Sequence, residues 1–192
     1  MPNVVIIAGV NGAGKSTAAP YLLRDTLGVD EFVNADQIAA GLSGFNPQGA
    51  AFEAGRIMLR RVHALSSERQ DFAFETTLAS RSFAPLIQRL RQASNYRCYL
   101  IYLWLDSPAL ARARVATRVA AGGHDVPWDV IQRRYRRGIE NLKTLYRPLA
   151  DNWRVYDNSR DHSPRLVAIG LRGRTTSIVD PIIWSRIKEM KK

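Results

Sequence analysis

The sequence predicts an α/β fold: a five-stranded, mostly parallel sheet with helices on both faces. Three observations carry this. Short apolar, β-branched runs alternate with helical stretches along the chain. The first run, residues 4–8, leads straight into Gly9-Val10-Asn11-Gly12-Ala13-Gly14-Lys15-Ser16 and then a helical stretch. That is G-x-x-x-x-G-K-[ST] in the strand–loop–helix setting that a phosphate-binding loop requires. Finally, each run ends in polar residues, which a parallel sheet gathers along one edge.

The elements follow in order. Residues 4–8 form the first strand, and a helix over about residues 15–26 carries Leu22 and Leu23 on its apolar face. A short second strand is expected near residues 31–34. A helix begins near Asp36, capped by Asn34 or by Asp36 itself. Residues 41–47 are a turn-rich loop. Residues 50–68 have few breakers and place Ile57, Leu59, Val62 and Leu65 at helical spacing. Phe72-Ala73-Phe74 is a strand ending at Glu75. Residues 83–93 are helical, and residues 97–105 are a long apolar strand. A helix over residues 108–121 breaks at Gly122-Gly123, and helix resumes over residues 128–149. Residues 153–156 make the fifth strand. Beyond it, residues 166–170 and 175–179 alternate around Arg172-Gly173 as a small hairpin, and residues 182–190 form a closing helix. The expected organisation is one P-loop kinase-like domain over residues 1–192, with a lid over about 108–147 and an appendage over about 160–192.

Composition narrows the function classes. The 192 residues are long enough for a full core, and 46% hydrophobic with 23% charged residues suits one. There is no basic leader and no apolar run long enough to span a bilayer. The single cysteine, Cys98, lies in an apolar run, so a buried, inert thiol is expected and an intramolecular disulfide is excluded. The cytoplasm is therefore the default expectation, with no membrane partner. The net charge is +11. Between Arg112 and Arg147 nine basic residues face three acids, a local excess of +6. Arginine forks suit phosphate oxygens, so a phosphate-bearing acceptor is expected. The basic residues are not interleaved with exposed aromatics and no nucleic-acid module is visible, which argues against nucleic acid.

The chemistry-bearing residues sit at the strand ends. Gly9, Asn11, Gly12, Ala13, Gly14, Lys15, Ser16 and Thr17 form the loop that cradles a triphosphate, so ATP is the expected cofactor. Lys15 reaches the β- and γ-phosphates, and the Ser16 hydroxyl suits Mg²⁺. Asp36, after the second strand, is the candidate general base for an acceptor hydroxyl. Glu75 ends the third strand, where a carboxylate either holds Mg²⁺ through water or binds substrate. Thr77 and Arg81 follow on the same edge. The helix–glycine–helix stretch reads as a lid that brings arginines to the transferring phosphoryl group. Arg118, nearest the hinge, is the first choice and Arg134 the second. His124 either contacts phosphate or shapes the turn. Asn158, after the fifth strand, either holds adenine or forms a turn. The residues also admit a nucleotide or nucleic-acid-end kinase, or an ATP-binding switch without transfer.

Taken together, Gly9–Ser16, Asn34-Ala35-Asp36-Gln37-Ile38, Phe74-Glu75-Thr76-Thr77, and Arg118 followed by Gly122-Gly123-His124-Asp125-Val126-Pro127 resemble the zeta-toxin-type P-loop kinases. Asn46-Pro47, Ala54-Gly55-Arg56 and Arg133-Arg134-Tyr135 resemble the compact bacterial branch labelled predicted ABC-type ATPase. The resemblance covers about residues 3–160. It implies transfer of the ATP γ-phosphate, with Mg²⁺, to the sugar 3′-hydroxyl of UDP-N-acetylglucosamine, and an antitoxin protein as a partner. It implies Asp36 as base, Glu75 and Thr77 as acceptor-binding residues and Arg118 as phosphate stabiliser. One departure stands out. Toxins of this type carry a second lid arginine soon after the first, where this chain has His124 and then Arg133 and Arg134.

Overall fold

The β-branched strand Asn3–Ala8 (β1) lies third in the order of a seven-stranded sheet, flanked on both sides, and residues 4–8 are almost wholly excluded from solvent. The computed structural model describes residues 1–25, 28–44, 46, 49–160 and 163–190. Thr26, Phe45 and Pro47, named in the expected first helix and the turn-rich loop, lie outside these residues, as do positions 161–162 and 191–192 of the appendage.

After β1 come α1 (Lys15–Pro20), extended by a π-helical turn (Tyr21–Asp25), β2 (Glu31–Val33), α2 (Ala35–Leu42) and α3 (Ala51–Ser67). Then follow β3 (Phe72–Thr76), α4 (Phe83–Gln92), β4 (Arg97–Trp104), α5 (Pro108–Ala120) and α6 (Trp128–Asn141). A second π-helical turn (Leu142–Tyr146) joins α6 to the single turn α7 (Arg147–Leu149), so the long helix expected over residues 128–149 is interrupted near its end. The chain closes with β5 (Asn152–Asp157), β6 (Arg165–Leu171), β7 (Arg174–Ile178) and α8 (Pro181–Glu189).

The strand order is β2-β3-β1-β4-β5-β6-β7. The first five strands are parallel, as expected from their helical crossovers. The sheet is larger than the five strands expected. The hairpin β6–β7 pairs antiparallel with β5 and extends the sheet instead of standing apart. The reason is visible in the register: Trp153 lies opposite Gly170, where the missing side chain leaves room for the indole. Single-strand patterning does not reveal such a cross-strand fit.

The start of β5 is locked by one carboxylate. Asp151 accepts from Arg91 Nη2 at 2.7 Å and Nε at 3.1 Å, and from the Cys98 amide at 3.0 Å. Burial works against its charged form, but Arg91, the Cys98 amide and Arg172 outweigh it and hold the carboxyl below its ordinary value. A depressed carboxyl stabilises the fold above its unfolded-state pKa, and this is lost as pH falls through the lower folded-state value. Acid titration of stability should therefore show a limb below the ordinary carboxylate range that Asp151→Asn flattens. Neighbouring Cys98 is fully buried, and burial pushes its thiol up to about 12, in keeping with an inert core cysteine.

Candidate functional site

The phosphate-binding loop stands at the carboxyl end of β1. Gly14 is the N-cap of α1 in the left-handed region (φ +81°), and among the described residues no side chain caps that helix end. An added Cβ there would also lie 2.5 Å from Asn158 Nδ2. The backbone amides are thus left available to an anion.

Four residues from three strand ends meet beside this loop. Lys15, 5% exposed, donates to Val10 O at 3.0 Å and pairs with Glu75 Oε1 at 3.4 Å. Ser16 Oγ donates to Glu75 Oε2 at 2.8 Å, and Asn34 Nδ2 donates to the same oxygen at 2.8 Å. Asn34 also caps α2 by accepting from the Asp36 and Gln37 amides at 2.8 and 3.3 Å. The cap is therefore Asn34, which leaves the exposed Asp36 carboxylate free of that duty. The sequence marks Asn34 as a candidate cap and as a polar residue at the end of the second strand; its bond to Glu75 depends on β2 and β3 being neighbours, which local sequence does not encode.

The lid arginines separate into two kinds. Arg118 Nη2 donates to His124 O at 2.9 Å, and its stem packs against Gly123, so the guanidinium holds the hinge together. Arg134 Nη1 instead reaches the phosphate loop and donates to Asn11 Oδ1 at 2.9 Å. Burial lowers the Arg134 pKa, the Asp36 charge opposes that, and Arg133 adds to it. Arg134 is thus bonded to the loop and feels the Asp36 charge, whereas Arg118 is engaged within its own turn. Arg114 is likewise tied down, donating to Ser159 O at 3.2 Å.

The segment after β3 is held by the long helix. Asn141 Nδ2 donates to Leu78 O at 2.7 Å, and Tyr146 Oη to Ser80 O at 2.6 Å. Gly138 faces Thr77, and a Cβ there would lie 2.7 Å from Thr77 O. Gly138→Ala should therefore displace the Thr77 backbone and destabilise the protein by about 1–3 kcal/mol, read as a lower denaturant midpoint. Thr77 Oγ1 accepts from the Ala79 amide, and Arg81 is exposed beyond it. Asn158 donates to Ala13 O at 2.8 Å, so its amide supports the loop backbone, while its Oδ1 is buried without a partner.

Beside Gly14, Thr17 and Asn158 a cavity of about 630 Å³ opens, with Tyr99, Trp153, Arg154 and Tyr156 also in its lining. Among the described residues no cluster of three or more His, Cys, Asp or Glu is placed to hold a metal. The Ser16–Glu75 oxygen pair, with Lys15 adjacent, is the hard-donor set here. It suits Mg²⁺, which binds through few protein oxygens and completes its shell with water and phosphate. Also among the described residues, no helix is long and apolar enough to cross a membrane.

Comparison with known proteins agrees with this geometry. The AAA domain family profile matches residues 4–145. An uncharacterized protein of Haemophilus influenzae is 29% identical over 133 residues, covering 68% of this chain and 91% of that protein. The solved AvrRxo1-ORF1:AvrRxo1-ORF2 complex with sulphate ions contains a chain that superposes with a TM-score of 0.80 at 16% identity. That match covers all of this chain and 65% of the other, so this chain spans about two thirds of that protein's length. The PezAT chromosomal toxin–antitoxin system of Streptococcus pneumoniae matches with a TM-score of 0.71 at 17% identity, over all of this chain and 80% of that one. At these identities the two structures establish a shared P-loop kinase-like fold.

Proposed function

The chain belongs to the AAA domain family and has a P-loop kinase-like fold, and from that premise we propose that it transfers the γ-phosphate of ATP to a hydroxyl of a small acceptor. The observation that carries this is the convergence of Lys15, Ser16, Glu75, Asp36 and Arg134 on one edge of the sheet. A binding module needs the loop; transfer needs a base and a charge stabiliser on the far side of the γ-phosphate as well.

In this reading the loop amides and Lys15 hold the β- and γ-phosphates, and the cavity beside Thr17 receives the base and ribose. Ser16 and, through water, Glu75 would hold Mg²⁺, which would supply positive charge beside the phosphate chain. Asp36 accepts the proton of the acceptor hydroxyl. The acceptor oxygen bonds to the γ-phosphorus, the bond to the β–γ bridging oxygen breaks, and ADP leaves. Arg134 stabilises the charge that spreads over the transferring phosphoryl oxygens. Arg118 serves the hinge, which reverses the order of the two lid arginines suggested by sequence.

The acceptor we favour is UDP-N-acetylglucosamine, phosphorylated at the sugar 3′-hydroxyl. Its diphosphate suits the exposed Arg81, Arg133, Arg136 and Arg137 around the lid. Two of the similar structures are toxin–antitoxin or two-protein complexes, and on that analogy an antitoxin is the proposed protein partner. Incubating the protein with ATP, Mg²⁺ and UDP-N-acetylglucosamine should yield ADP and a product heavier by one phosphate. Transfer to other hydroxyl compounds but not to this one would overturn the acceptor and leave the reaction class standing.

A further inference from the structure

The last quarter of the chain grips the helix that carries Arg134. Arg147, at the start of α7, lies with its guanidinium carbon 4.2 Å from the Trp153 ring and 5.0 Å from the Trp184 ring, and those two rings stack 5.6 Å apart. Its Nη2 donates to Gly173 O at 3.0 Å and to Thr175 Oγ1 at 3.3 Å. Among the described residues no carboxylate pairs with it; two indole faces and the β6–β7 hairpin hold its charge. One turn earlier, Lys143 Nζ donates to Lys188 O at 3.1 Å and Met190 O at 2.7 Å, the carbonyls that end α8.

Between Arg147 and Arg134 lies the π-helical turn Leu142–Tyr146, which itself carries Lys143. Such a turn interrupts the regular hydrogen-bond ladder and is a place where a helix can change register. Thirteen residues, or about 20 Å of helix, separate Arg134 from Arg147. Along that length Gly138, Asn141 and Tyr146 contact the Thr77–Ser80 backbone. The helix is therefore a strut, with the phosphate loop at one end and the C-terminal elements at the other.

We propose that β6, β7 and α8 act as a brace for this strut, with Arg147 and Lys143 as positioning residues that hold Arg134 against the phosphate loop. The inference rests on the transfer reaction proposed above, and it assigns a role to a segment outside the matched family region. A brace of this kind acts on the transition state through geometry, since a misplacement of about 1 Å costs up to about 10²-fold in rate.

The test uses the full chain in two arms. In the first, Arg147→Met is assayed well below its unfolding midpoint. Its kcat should fall roughly ten- to a hundredfold with KM for ATP changed less than about twofold, and Arg147→Lys should recover part of the loss. A folded Arg147→Met with the parent kcat would overturn the brace. The second arm does not depend on any acceptor. The four tryptophans are replaced by 5-fluorotryptophan and assigned by single Trp→Phe changes. Saturating ATP should shift the Trp184 ¹⁹F resonance in the parent chain, and the shift should vanish in Arg134→Ala although ATP still binds. Trp184 lies outside the cavity lining but stacks on Trp153, which is part of it, so loss of the shift in Arg134→Ala with ATP still bound is what separates the strut from a shift relayed through Trp153. A Trp184 resonance unmoved by ATP, or moved equally in Arg134→Ala, overturns the brace even if transfer is confirmed. Absence of transfer from the parent chain defeats the proposed reaction and leaves this second arm to decide.

Discussion

Asp36→Asn is expected to lower phosphate transfer by about 10²- to 10⁴-fold while ATP binding is unchanged. The substitution keeps the side-chain shape but removes the negative charge, and with it the ability to accept a proton. It should cost little stability, because the cap of α2 is Asn34, whose Oδ1 takes the amide hydrogens of residues 36 and 37. Asp36 is exposed, and among the described residues no hydrogen bond joins its carboxylate to the phosphate-binding loop. Single-turnover transfer measured beside calorimetric ATP titration separates the two effects. Equal losses in both, or full activity in the variant, would remove Asp36 from the reaction.

Arg134→Ala should match or exceed that loss, at about 10³-fold or more, since charge stabilisers of phosphoryl transfer are worth that much. Arg118→Ala should lose less than about tenfold, through a looser hinge and not through the transition state. The contrast follows from geometry. Arg134 donates to Asn11 on the loop and feels the Asp36 charge, whereas the Arg118 guanidinium is bonded to the His124 carbonyl six residues on. If Arg118→Ala proved the more damaging, lid closure would have to release the hinge bond and exchange the two arginines. The test is a comparison of kcat for both variants at saturating ATP.

The strand-and-loop frame was legible because each element announced itself locally. The β-branched run at residues 4–8, the glycine loop and Lys15 are contiguous, and the structure places them as their pattern requires. Lys15, Ser16 and Glu75 were expected at one edge, and they meet there within hydrogen-bonding or ion-pair distance. What was not legible depends on pairs far apart in the chain. Asn34 bonds Glu75 across 41 positions, Arg134 bonds Asn11 across 123, and Asn158 bonds Ala13 across 145. No helical or strand periodicity encodes such partners. Proximity to a glycine hinge favoured Arg118, but the hinge itself consumes that side chain. The hairpin was readable from its alternation around Arg172-Gly173, yet its docking on β5 rests on Trp153 meeting Gly170.

The interruption of the long helix has a similar origin. Residues 128–149 carry a continuous apolar stripe, so periodicity alone extends one helix to the end. In the structure the π-helical turn brings Tyr146 onto Ser80 O and Arg147 onto the two indoles, contacts that a uniform helix would place at a different angle. Tertiary partners decide the local geometry there.

The central claim is transfer of a phosphoryl group to an organic hydroxyl, and the most direct measurement follows the γ-phosphate itself. ATP labelled at that phosphate, Mg²⁺ and a bacterial small-molecule extract are incubated with the parent chain and with Asp36→Asn, and all labelled species are identified by mass. The account predicts a labelled phosphomonoester formed in step with ADP by the parent chain and nearly absent with the variant. ATP bound without any labelled organic product, or label recovered only as inorganic phosphate in both, would contradict it.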